Sequence, residues 1–171
     1  IEGYDVWKAL DEGRFSRRLL EAALSRSDTP CGKTDEDGRT QDLLGNGELP
    51  VLVEKPAAYF IEHNDGLKTT LLMLNGAIKD FCFACEADSE IVSTQFFLSP
   101  TPNVTYSACL VAKIEEMIET DKAPFPAERT LIVSGALESC LTSKVEDHKT
   151  LETPHLSVTY EAPDESHHAR F

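Results

Sequence analysis

The stretch that most constrains the fold of this chain is 103–144, which reads as two helices joined by a short Pro-rich turn. In the first, Ser107, Leu110, Val111, Ile114, Met117 and Ile118 recur at steps of three and four, so they share one stripe. Lys113, Glu115, Glu116 and Glu119 fall mostly off it. Thr101-Pro102-Asn103 supplies start signals, an oxygen to accept an orphan backbone N–H and a proline suited to the first turn. Pro124 and Pro126 stop the first helix and open the second. There Ile132, Val133, Ala136, Leu137, Cys140 and Leu141 form another helical stripe. Gly135 within it costs about 1 kcal/mol relative to alanine unless close packing uses the missing side chain.

Three strand-length segments precede this pair, at 57–64, 67–74 and 77–87. They are separated by Asp65-Gly66 and Asn75-Gly76, dipeptides favoured in two-residue hairpin turns because they tolerate positive φ. A fourth strand at 91–98 follows an Asp88-Ser89 turn, so an antiparallel meander is expected. Phe81, Phe83 and Cys85 alternate onto one face, with Asp80, Cys82, Ala84 and Glu86 on the other. Leu156, Val158 and Tyr160 alternate with Ser157 and Thr159 as a fifth strand. Two short helices open the chain, at 4–12 and at 16–26 with Ser16 as cap. The expected fold class is α+β: an antiparallel β-meander sheet, a two-helix hairpin on one face and short N-terminal helices. A chain of 171 residues suits one core, because a domain near this length buries roughly 70% of its unfolded surface. Residues 1–47 hold the first helices and a long acidic loop, 48–161 the sheet and helix pair, and 162–171 a flexible tail.

A formal net charge of −14 argues against a phosphate-backbone binder, which needs clustered Lys and Arg, so nucleic acid is not expected as a partner. No apolar run approaches the roughly 20 residues that span a bilayer, so no membrane partner is expected either. The chain starts at Ile1 without methionine, and its first part is expected to be missing. Five cysteines, an odd and sparse set, favour reduced thiols and a cytoplasmic setting.

The segment Leu67-Lys68-Thr69-Thr70-Leu71-Leu72-Met73-Leu74-Asn75-Gly76 and the segment from Ile114 to Pro124 carry a resemblance. So does the helix ending at Glu138-Ser139-Cys140-Leu141-Thr142-Ser143-Lys144. A meander, a helix, a Pro-containing turn, a second helix and an extended tail, over about 57–160, resemble the C-terminal half of Gfo/Idh/MocA oxidoreductases. The resemblance implies a domain that forms one wall of a substrate pocket for a sugar-like small molecule and a homo-oligomer through the sheet. It also implies NAD or NADP bound elsewhere in a full-length sugar or polyol oxidoreductase. Glu54-Lys55-Pro56 reproduces that family's catalytic tripeptide, but no Gly-rich strand-turn-helix fingerprint precedes it. It is read as a Pro-terminated surface segment, and the chain as lying downstream of the catalytic residues. The alternative, from a different class, is a non-enzymatic dimerisation or interaction module.

No catalytic, cofactor or metal residue is assigned. Cys82 and Cys85 have redox or zinc spacing, but an offset of three in a strand sends them to opposite faces. Asp35-Glu36-Asp37-Gly38 lacks the glycine position and closing Glu of a calcium loop. His167-His168 sits in the tail. The polar residues placed at junctions of sheet and helices are Gln95, Asn103, Tyr106, Arg129 and His155. They are the candidates for contact with a small ligand, since a pocket needs a few polar groups converging on an apolar wall.

Overall fold

The computed structural model describes residues 1–31, 43–97 and 104–162, and within them the chain is α+β. Five α-helices, the first ones short, accompany two antiparallel sheets of two strands each. The chain divides into two units, Ile1–Leu98 and Ser99–Phe171. That division falls inside the 48–161 segment.

In the first unit, helix α1 (Tyr4–Asp11) buries Val6, Ala9 and Leu10, an i, i+3, i+4 set on one face. Helix α2 (Arg17–Leu24) starts where Ser16 Oγ accepts from Leu19 N at 3.2 Å, and it buries Leu20. A single turn, α3 (Leu49–Leu52), was not expected from the sequence; Pro50 suits its first turn and Leu49 is fully buried. These helices, with Phe15, Leu43, Leu44, Val53, Ala58 and Ala77, form the core.

Strand β1 (Ala57–Glu62) pairs with β2 (Lys68–Met73), from Ala57 opposite Met73 to Glu62 opposite Lys68. The link is longer than the two-residue turn expected. His63 N donates to Leu67 O at 2.8 Å and Gly66 N to His63 O at 2.9 Å. Gly66 takes φ +87°, and Asp65 Oδ1 accepts from Leu67 N at 2.9 Å. This is a turn followed by a left-handed glycine, the common three-residue connection. Strand β3 (Cys82–Ala87) pairs with β4 (Glu90–Gln95) through Asp88 and Ser89, at φ 50° and 66°, the two positive values of a type I′ turn.

The continuous meander is corrected to two separate hairpins, because Asn75-Gly76 does not fold β3 back on β2. Ala77 N donates to Leu74 O at 3.0 Å, and the chain dives so that Ala77 is wholly buried. Gly76, at φ +108°, passes so close to α3 that a Cβ would sit 2.3 Å from the Leu52 carbonyl oxygen. The glycine therefore serves a close backbone approach. In the second hairpin the face with Cys82, Ala84, Ser93 and Gln95 turns to α2, where Arg26 Nε donates to Ser93 Oγ at 2.8 Å. The Phe81 and Phe83 face points away and is exposed.

In the second unit, α4 (Val104–Thr120) and α5 (Ala127–Val145) match the two predicted helices, and Pro126 sits at the N-cap of α5. Past α5 the fifth strand is replaced by a 3-10 turn, Pro154–Leu156, closed by Leu156 N donating to Thr153 O at 2.9 Å. The turn is seated at Gly135: a Cβ there would lie 2.3 Å from Leu156 Cδ2, so the leucine fills the space a side chain would take. The tail packs on a helix, with no strand beside it among the described residues to pair with.

Candidate functional site

The most connected polar group in the first unit is Asp80, in the segment between Ala77 and β3. It is the one buried charged side chain among the described residues. Ser27 Oγ donates to its carboxylate at 2.8 and 2.9 Å, Asp28 N at 3.0 Å and Gln95 Nε2 at 2.7 Å. The Cys82 thiol completes the set at 3.6 Å. Burial works to raise the Asp80 pKa, but hydrogen bonds from Ser27, Gln95, Asp28 and Thr29 outweigh it and hold the carboxyl below its ordinary 3.8. Burial, followed by the charge of Asp80, pushes the Cys82 thiol up to about 11, so it stays a protonated donor at neutral pH. Two further bonds from backbone amides extend the seam, Cys31 N donating to Ala77 O at 2.7 Å and Lys79 N to the Thr29 hydroxyl Oγ1 at 3.0 Å. The arrangement fastens the segment after α2 to the second hairpin.

A second feature is concave. Tyr4, Trp7 and Asp11, at i, i+3 and i+7 on α1, form one side of a groove of about 380 Å³. Pro50, Glu54 and Pro56 form the other. The two sides are tied at one end, since Gly3 N donates to Pro56 O at 2.8 Å. Trp7 packs on the core while it lines the groove, and Tyr4 is 80% exposed. Asp11 pairs with Arg17 at 3.0 Å.

Of the residues singled out in the sequence, Gln95 is the one placed at the Asp80 cluster. Asn103 lies outside the described residues, and Tyr106 is placed in α4 by its backbone. Arg129, in the first turn of α5, lays its guanidinium 4.6 Å from the Phe125 ring centre. His155 is exposed in the 3-10 turn. The motifs at 35–38 and 167–168 also lie outside the described residues. Cys82 and Cys85 stand opposite Gln95 and Val92, on the two faces of the hairpin. No disulfide and no group of three metal-ligating side chains occurs among the described residues.

Sequence reasoning passed over Asp80, although an aspartate entering a Phe/Cys strand was a signal that a buried charge needed donors. It also passed over the α1 groove, whose signal was the Tyr4, Trp7, Asp11 spacing beside the buried stripe. Among the described residues no helix is long and apolar enough to cross a membrane. No family model matches the chain, and neither does any curated protein or solved structure.

Proposed function

We propose that the chain works by association: it is the substrate-wall and self-association portion of a Gfo/Idh/MocA-like, NAD(P)-dependent oxidoreductase of sugars or polyols. The observation that supports this is the outer face of the β3–β4 hairpin. Phe81, Phe83, Val92 and Phe96 stand together there at 64, 46, 53 and 54% exposure. Grouped aromatic and branched side chains are costly in water, at about 25 cal/mol per Å², and contiguous patches of this kind mark contact surfaces. The inner face of the same hairpin is already used by α2, so a second layer has to come from outside it. The occupant we assign is a second copy, since one apolar face laid on its own symmetry mate closes a dimer with no further surface required.

Light scattering of the purified chain tests the association. A dimer at micromolar concentration, reduced to a monomer by Phe83→Asp with an unchanged circular dichroism spectrum, is the expected result; a wild-type monomer at about 100 µM overturns it. Titration of the full open reading frame with NAD and NADP tests the enzymatic half. Cofactor binding by that product supports the oxidoreductase reading. A dimer that ignores both cofactors leaves the non-enzymatic interaction module.

A further inference from the structure

We infer that the groove between α1 and the segment around Glu54-Lys55-Pro56 is a binding site for an organic cation, an alkylammonium or guanidinium group. This inference is independent of self-association. Its first support is shape: the groove is open to solvent and holds about 380 Å³, room for a small charged group laid along its floor. The second is construction. Trp7 is held from behind by the core, and the Gly3–Pro56 backbone bond fixes the width at one end, so the walls are in place before a ligand arrives.

The third support is the chemistry of the lining. Indole and phenol rings carry negative faces, and a cation within about 6 Å of them is attracted, tryptophan being the strongest of the three aromatic platforms. Trp7 and Tyr4 stand one helical turn apart on the same side of the groove. Across from them is Glu54, which makes no ion pair among the described residues, whereas Asp11 is shared with Arg17. No Lys, Arg or His lines the groove, and the chain as a whole carries a net charge of −14. The rings, a carboxylate with no ion pair among the described residues and the negative net charge together favour a cation over an anion.

The cation can arrive as a free polyamine or as the side chain of a peptide, and the test separates the two. Trp7 is the single tryptophan of the chain, so emission excited selectively at the indole, away from the four tyrosines, reports on this groove. Spermidine and an acetylated, amidated Ala-Arg-Ala peptide are titrated at constant ionic strength, with glucose as the neutral control. A saturable change in Trp7 emission with either cation, and none with glucose, is expected. Spermidine alone points to a free amine, and the peptide alone to a presented side chain. Glu54→Gln and Tyr4→Leu, both at exposed positions, raise the apparent Kd by about threefold to tenfold each. The proposal is overturned if neither cation gives a saturable change up to about 10 mM. It is equally overturned if glucose matches them or if Glu54→Gln binds as the wild type does.

Discussion

Asp80 shows how one residue decides whether a charge can be kept inside a small unit. A buried carboxylate without a cation is tolerable only when donors replace the lost water, and here a hydroxyl, a backbone amide, a side-chain amide and a thiol do so. Asp80→Asn removes the charge that these donors face and, with its oxygen kept toward Asp28 and Gln95, turns the other acceptor into a donor facing Ser27 and Cys82. It should cost about 1–3 kcal/mol in urea unfolding at pH 7. The pH dependence has a defined sign. Because the folded carboxyl titrates below 3.8, its stabilisation is complete above the unfolded pKa and is lost as pH falls through the folded one. The gap between wild type and Asp80→Asn should therefore close below about pH 4, and a gap that persists unchanged at pH 2 would mean that the charge contributes nothing. Gln95 was legible in the sequence as a polar residue worth a partner. The identity of that partner was not, because Asp80 and Ser27 meet only through tertiary docking across 53 residues.

Turns and glycines set the elements, and they separate what a sequence can show from what it cannot. The Asp88-Ser89 connection holds two non-glycine residues at positive φ, where an L side chain costs roughly 1–2 kcal/mol. Ser89→Gly should therefore raise stability by about 0.5–1 kcal/mol, read as a higher urea midpoint with an unchanged slope. Gly76→Ala should do the reverse. Its φ is +108° and its new Cβ would collide with the Leu52 carbonyl at 2.3 Å, a backbone atom that cannot swing aside. A loss above about 2 kcal/mol is expected, within the range of strained and overpacked sites. An alanine variant as stable as wild type would mean that α3 and this turn move apart freely. The two dipeptides Asp65-Gly66 and Asn75-Gly76 look alike in sequence, yet only the first joins paired strands. Local propensity specifies that the chain bends at each; what it bends around, a neighbouring strand or the end of α3, depends on packing that no window of residues contains. The helices were more legible because their stripes and proline boundaries are local, as α5 shows. Even there, the use of Gly135 to seat Leu156 needed the tail to be seen in place.

At the scale of the whole molecule, apolar surface and charge pull against each other. On α5 the side carrying Gly135 is covered by the 3-10 turn, while Val133, Leu137, Leu141 and Val145 form an i, i+4 ridge at 61, 59, 52 and 83% exposure. A helix apolar on both sides is one meant to be buried, and i+4 ridges are those that interlock in the commonest helix crossing. With the Phe-rich hairpin face, this gives the chain two surfaces whose burial favours association, against a net charge of −14 that opposes bringing copies together. The balance predicts the salt response. Repulsion between copies is screened over about 10 Å at 0.1 M and about 3 Å at 1 M, while apolar burial is not weakened by salt. Sedimentation equilibrium should thus show self-association strengthening from about 20 mM to 500 mM NaCl, and Leu137→Glu should weaken whichever oligomer uses the α5 ridge. A dimer that loosens as salt rises would have to be held by paired charges, and the apolar faces would then belong to contacts other than that dimer.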